Sequence, residues 1–193
     1  MSSYSFIYIG GYNVLSNHEI PLKKKSIVFI GFMGVGKTTI GELIANKLDR
    51  DFIDTDVEIE KEYQMPITQI FNTLGEEHFR KKEKEFITKL CQERFHVISL
   101  GGGAFLQEEI RNVCMDNCIV IYLHLPWDSW KNRFPLIIES RPVLQGKSMG
   151  EIEEIFNKRQ EVYSKNHFKI ECEHLSAEEI STKILESLKN IKG

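Results

Sequence analysis

The run Gly31-Phe-Met-Gly-Val-Gly-Lys37-Thr38 is a complete G-x-x-x-x-G-K-[ST] pattern, the spacing a chain needs to wrap its backbone around phosphate oxygens. Its glycines let successive backbone N–H groups turn inward, and a helix starting at its end adds the positive end of its dipole. Lys37 then reaches the outer phosphates, and the Thr38 hydroxyl can ligate Mg²⁺. The pattern predicts a nucleoside triphosphate site built from Gly34, Val35, Gly36, Lys37, Thr38 and Thr39.

Asp54-Thr55-Asp56 follows the short apolar pair Phe52-Ile53. Ligands of open α/β sheets bind at the carboxyl ends of strands, where Asp54 can hold Mg²⁺ through water and Asp56 can accept a hydrogen bond or proton from an attacking hydroxyl. The plainer reading makes one a helix cap and the other a solvated loop charge. Gly101-Gly102-Gly103 ends another apolar run. Bare backbone there can approach a ligand, although alone it reads equally as a flexible turn. Arg80, Arg133, Arg141 and Arg159 carry the planar fork that suits carboxylate and phosphate, but each taken singly reads first as a solvated charge. Lys81, Lys82, Lys84 and Lys89, alternating with Glu83 and Glu85, read as a solvated helix face.

Such residues need a scaffold. Ile27-Val-Phe-Ile30 is apolar throughout, the mark of a parallel strand covered on both faces, and it leads directly into the glycine loop. Beyond the loop, Ile40, Leu43, Ile44 and Leu48 recur at helical spacing. Further strands are expected at 52–53, 97–100, 118–123 and 168–172, and helices at 57–63, 67–74, 76–94, 127–132, 149–163 and 177–191. Strands alternating with helices predict an α/β fold with a central five-stranded parallel sheet flanked by helices. One domain is expected over 26–193. Residues 1–25 form an extension in which Gly10-Gly11 and Asn13 suggest the turn of an added hairpin. Residues 133–148, with Pro135, Pro142 and several cations, read as a mobile excursion rather than core.

With 193 residues, 41% hydrophobic and 27% charged, and a net charge of -3, the chain can bury one core but offers no global basic field. Neither nucleic acid nor membrane is an expected partner, and any anion site must be local. Four cysteines without a CxxC pair or a histidine cluster predict reduced, buried thiols and a cytoplasmic protein. No apolar run reaches the roughly 18 residues of a membrane helix, and the apolar patch Phe6 to Ile9 lacks the cationic start of a signal peptide.

Together these motifs resemble the shikimate kinases over about residues 26 to 188. Gly31 to Gly41 is similar to that family's phosphate-binding loop, Phe52-Ile-Asp-Thr-Asp56 to its Asp-x-Asp segment, and Phe71-x-x-x-Gly-Glu-x-x-Phe-Arg80 to its substrate-binding helix. Ser99-Leu-Gly-Gly-Gly103 resembles its glycine turn, and Arg141-Pro-Val-Leu144 its lid. The resemblance implies a P-loop kinase fold related to the nucleoside monophosphate kinases, with a substrate-binding helical part at about 54–94 and a mobile lid at about 133–148. It implies a monomer that uses ATP and Mg²⁺ to phosphorylate the 3-hydroxyl of shikimate, in aromatic amino acid biosynthesis. Asp56, Lys37 and Arg141 would then be catalytic, with Asp56 holding hydroxyls as base or orienter and the two cations neutralising phosphate charge. Arg80 and Arg159 would clamp the shikimate carboxylate, Phe71 and Phe79 would wall its ring, and Gly101, Gly102 and Gly103 would line it, with Gly102 offering its backbone. Thr38 and Asp54 would hold the metal.

The family's usual Arg-x-Pro-Leu-Tyr stands here as Arg159-Gln-Glu-Val-Tyr163, and the adenine-facing loop has Cys172 and Ala177 where Thr and Pro are common. Adenine is therefore expected to be held loosely, with Arg133 stacking on it. A gluconate or nucleotide kinase, or a nucleotide-binding regulator without turnover, are the alternative readings.

Overall fold

A computed structural model describes residues 24–138 and 141–190. The chain runs β1 (Ile27–Ile30), α1 (Lys37–Leu48), β2 (Asp51–Asp54), α2 (Thr55–Tyr63), α3 (Ile67–Leu74), α4 (Glu76–Leu90), β3 (His96–Ser99), α5 (Glu108–Asn117), β4 (Ile119–His124), α6 (Trp127–Lys131), α7 (Phe134–Ile137), α8 (Met149–Tyr163), β5 (Phe168–Glu171) and α9 (Ala177–Lys189). Single 3₁₀ turns at Ala104–Leu106 and Pro142–Leu144 complete it.

The five strands form one sheet in the order β2-β3-β1-β4-β5, with every pairing parallel. β1 and β4 are apolar and buried because they lie inside the sheet. β2 and β5 are its edges and carry Asp51, Asp54, Lys169 and Glu171, charges that discourage further pairing. From β1 the chain goes out to the edge strand β2, returns to β3 beside β1, then crosses to β4 and β5 on the other side. This reversal opens a crevice at the carboxyl ends of the central strands.

α1 packs on β1, β2 and β3 and against α9, while α5 packs on β4 and against α4. α8 and α9 start at capping boxes, Ser148 with Glu151 and Ser176 with Glu179, each satisfying two backbone donors that a helix start leaves unpaired. α2, α3 and α4 enclose their own small cluster of Ile59, Ile70 and Phe79, and Phe86 touches both this cluster and the main core.

The expected strands are present with boundaries displaced by a residue or two, and α1 begins at Lys37, directly at the loop. α4 ends at Leu90 instead of continuing to Arg94, because Gln92 and Glu93 tighten its end with bonds to Lys89 and Leu90 and Phe95 adopts φ 67, turning the chain into β3. The segment after the triple glycine is helical, since Ile110 and Cys114 stand four apart and both bury. Residues 133–148 are not wholly peripheral: Leu144 is 0% exposed within the main core. The expected hairpin lies outside the described residues. All four cysteines are free and buried, and no helix among the described residues is long and apolar enough to cross a membrane.

The glycine loop is held from behind by aromatic packing. Phe32 meets Trp130 and Phe156 edge-on, each at 5.0 Å between centroids. The fully buried Trp130 donates its indole N–H to the Met33 carbonyl at 2.7 Å. Replacing Trp130 with Ala is expected to cost about 3–5 kcal/mol in urea unfolding. Trp130→Phe, which mainly leaves the Met33 carbonyl without its donor, is expected to cost about 1–3 kcal/mol. Equal costs for the two variants would mean that the indole N–H, not the packing, is what counts.

Candidate active site

Gly36 caps α1 in the left-handed region, at φ 101 and ψ 20, so the loop turns directly into the helix. Lys37, only 8% exposed, lies beneath the loop and donates from Nζ to the carbonyls of Gly31 at 3.0 Å and Phe32 at 3.2 Å. Burial, then the nearby Arg141 charge, lower its pKa to about 8. A bound phosphate would oppose both effects. Thr38 Oγ1 donates to Asp54 Oδ2 at 2.7 Å.

Asp54 also caps α2. Its Oδ1 accepts from the backbone N–H of Asp56 at 3.1 Å and of Val57 at 3.4 Å. The expected helix cap is thus made by one oxygen of Asp54, and the other lies against the Thr38 hydroxyl at the glycine loop. Asp56, in the first turn of α2, accepts from Arg141 Nη1 through Oδ2 at 2.9 Å. A cleft over the glycine loop is lined by Lys37, Thr38, Thr39, Gly34 and Gly36. It shares Met33, Asp56, Gly101, Gly102 and Arg141 with a second pocket that also contains Arg80, Arg159, Phe71 and Phe79.

The second pocket closes on the turn after β3. A Cβ at Gly101 would lie 2.2 Å from Asp56 Oδ1, and one at Gly103 would lie 2.7 Å from Arg80 Nη2. Neither position admits a side chain while those groups stay in place. Arg80 donates to Glu83 Oε2 at 2.8 Å and, through Nε and Nη2, to Glu76 Oε1 at 3.2 Å. Its guanidinium lies 5.7 Å from the Phe71 ring and 5.2 Å from the Phe79 ring. Arg159 donates to the Gly102 carbonyl at 3.0 Å and sits 5.4 Å from the Phe32 ring. Tyr163 donates to the same carbonyl at 2.6 Å. The Gly102 oxygen is thus occupied by the protein itself.

Glu83 corrects the expectation of a solvated face. It is 1% exposed and stands in line with Phe79, Ile87 and Leu90 on the buried side of α4, whereas Lys82 and Lys84 pair outward with Glu62 and Glu109. Burial outweighs the attraction of Arg80 and pushes the Glu83 carboxyl up to about 7. The signal was present in the sequence, as one carboxylate on the i, i+4, i+8 stripe of an amphipathic helix. Thr55 and Gln107 also contribute without having been singled out. The Thr55 hydroxyl donates to Ser99 O at 3.2 Å and accepts from the Gly101 N–H at 3.1 Å. Gln107 donates to Glu83 Oε2 at 2.9 Å.

Arg133 lies over the glycine loop and donates to Gly34 O at 3.2 Å, with Ile137 packed on Gly34 beside it. Cys172, in the loop expected to face adenine, is buried and feels the Arg133 charge.

Comparison with known proteins agrees with this geometry. The shikimate kinase family model matches residues 33–189. A shikimate kinase of Bacillus subtilis is 54% identical over 175 residues, covering 90% of this chain and 94% of that protein. A solved shikimate kinase of Acinetobacter baumannii in complex with shikimate superposes with a TM-score of 0.81 at 31% identity, covering 87% of this chain and 96% of that one. A gluconokinase of Sinorhizobium meliloti reaches a TM-score of 0.57 at 16% identity over 86% of this chain and 93% of its own, which speaks for a common fold only. Matched by the family model across nearly all of its described residues and by a relative identical at more than half of the aligned positions, this chain belongs to the shikimate kinase family.

Proposed function

We propose that this protein transfers the γ-phosphoryl group of ATP to the 3-hydroxyl of shikimate, giving shikimate 3-phosphate and ADP. The observation that carries the reading is that the two pockets share Asp56 and Arg141, a carboxylate and a cation that would stand between a donor in one and an acceptor in the other. Family membership supports the choice of acceptor.

On the acceptor side, Arg80 and Arg159 bind the shikimate carboxylate, and Phe71 and Phe79 wall the ring. Glu76, the more exposed partner of Arg80, is the contact an incoming carboxylate can displace. Gly101, Gly102 and Gly103 line the pocket without side chains. Asp56 accepts a hydrogen bond from the attacking hydroxyl and takes its proton. Arg141 leaves Asp56 for the transferring phosphoryl group as the lid, about residues 133–148, closes over the nucleotide, and the acceptor hydroxyl takes its place.

On the donor side, the backbone of Gly34, Val35 and Gly36 with Lys37, Thr38 and Thr39 holds the phosphates, and Arg133 faces the base. The Thr38 hydroxyl and the Asp54 carboxylate are adjacent hard oxygen donors, a set that fits Mg²⁺. Bound there, the ion would neutralise phosphate charge. We take residues 26–193 as one domain whose part at about 54–94 receives the acceptor, a reading its size supports, with no nucleic-acid partner, as its net charge of -3 suggests, and the protein as a cytoplasmic monomer, a reading that its four free cysteines and its family membership support.

The test is ADP release from Mg-ATP with shikimate, run beside gluconate and nucleoside monophosphates. Release dependent on shikimate is expected, and release only with another acceptor would overturn the proposal. Asp56→Asn is expected to keep ATP affinity while lowering kcat by about two to four orders of magnitude, the usual worth of a positioned base. Unchanged turnover would remove Asp56 from the mechanism. Arg80→Ala is expected to raise the shikimate KM by roughly 10-fold or more, with the KM for ATP unaltered. A normal shikimate KM would end the carboxylate assignment.

A further inference from the structure

Gln107 follows the 3₁₀ turn of Ala104–Leu106 and occupies the N-cap position of α5. That position favours short side chains that accept from the first-turn N–H groups. The Gln107 side chain makes no capping bond. It reaches instead to a residue 24 positions earlier and donates from Nε2 to Glu83 Oε2 at 2.9 Å. The same oxygen accepts from Arg80 Nη1 at 2.8 Å, and Glu83 Oε1 is buried with no hydrogen-bond partner among the described residues. One carboxylate oxygen thus holds two donors from two different elements.

We infer that Gln107 is a positioning residue for acceptor binding: its amide fixes the Glu83 carboxylate, and through it the Arg80 guanidinium that reads the acceptor's carboxylate. Arg80 offers five N–H groups. The one on buried Glu83 anchors the fork, while those on Glu76, whose side chain is 60% exposed, stay exchangeable. Removing the Gln107 donor frees Glu83 to rotate or to take up a proton, and either event loosens Arg80.

Glu83 faces Arg80 from its own helix and Asp56 from α2, and Gln107 meets it from the start of α5 without charge. Arg159 of α8 acts on Arg80, and Arg141 pairs with Asp56. Burial pushes the Glu83 carboxyl up to about 7, with Arg80 and Gln107 opposing it. Its charged form, which anchors Arg80, is lost as pH falls through that value.

The inference rests on Arg80 being the acceptor's carboxylate partner, so Arg80→Ala runs alongside as a separate control. Steady-state kinetics of Gln107→Leu and Gln107→Glu across pH 6 to 9 form the test. Gln107→Leu is expected to raise the shikimate KM roughly 10-fold at neutral pH, with kcat within about twofold and the KM for ATP unaltered. Its defect should deepen as pH falls, because Glu83 without its donor protonates more readily. Gln107→Glu puts a second carboxylate against Glu83, so its defect should deepen as pH rises and the shared proton is lost. A cap with no wider role would give neither pH trend. Wild-type KM and pH profile in the near-isosteric Gln107→Glu overturn the inference, even if Gln107→Leu fails to fold. If Arg80→Ala raises the KM while both Gln107 variants behave as wild type, only the Gln107 role falls. If Arg80→Ala leaves the KM unchanged, the reading of Arg80 falls with it.

Discussion

Side chains from three helices converge on a turn that has none of its own. The Asp56 carboxylate presses on Gly101 and the Arg80 guanidinium on Gly103, each at a distance a Cβ would violate. Arg159 and Tyr163 of α8 both donate to the Gly102 carbonyl. Thr55 completes the junction by bonding Ser99 O and the Gly101 N–H at once, which fixes the start of α2 to the end of β3. Because Asp54 and Asp56 flank Thr55, this one buried hydroxyl sets the register of both carboxylates. The site is thus organised by absence of bulk at Gly101 and Gly103, on either side of a Gly102 whose carbonyl is what α8 binds.

The charges gathered there are balanced in pairs that differ in permanence. Arg80 with Glu83 is the buried pair, supported by Gln107 and stacked on two aromatic rings. Breaking it would strand a charge away from water. Arg141 with Asp56 is more open, with side chains 36% and 17% exposed, and joins the segment before α8 to the start of α2. A partly exposed pair of this kind is bound less firmly than a buried one, so a change of partner costs it less. Lys37 is buried and held only by neutral loop carbonyls, with its pKa lowered to about 8, so a bound anion would be a stronger partner than any it has. On the proposed reading this would hold Arg80 firmly while Arg141 and Lys37 could turn to phosphate, which suits a reaction whose catalysis is positioning and charge neutralisation.

Much of this was legible in the sequence because it is local. The loop from Gly31 to Thr38, the buried strand before it and the helix after it each carry their own signal, and the five apolar runs become the five strands. What escaped depends on contacts between distant segments. Glu83 was hidden by the lysines around it, although its helical phase placed it with Phe79 and Ile87. Gln107 meets Glu83 only because the sheet brings the turn after β3 beside α4, and nothing at either position announces the other. Leu144 looked like part of a loose excursion because its neighbours are prolines and cations, yet it is the apolar anchor of that segment. Asp54 caps α2 with one oxygen and meets Thr38 with the other, a division that its place between strand and helix does not reveal in the sequence.

Gly101→Ala tests the role of the bare turn most directly. The added Cβ would meet the carboxylate of Asp56, a side-chain end that can move without unfolding the protein. The measurement is shikimate-dependent turnover together with ATP affinity and thermal melting. A misplaced base predicts a kcat lowered by about 10²-fold with ATP affinity and melting nearly unchanged. Full turnover in a folded Gly101→Ala protein would contradict the claim that the closeness of Asp56 to the glycine turn is what builds the site.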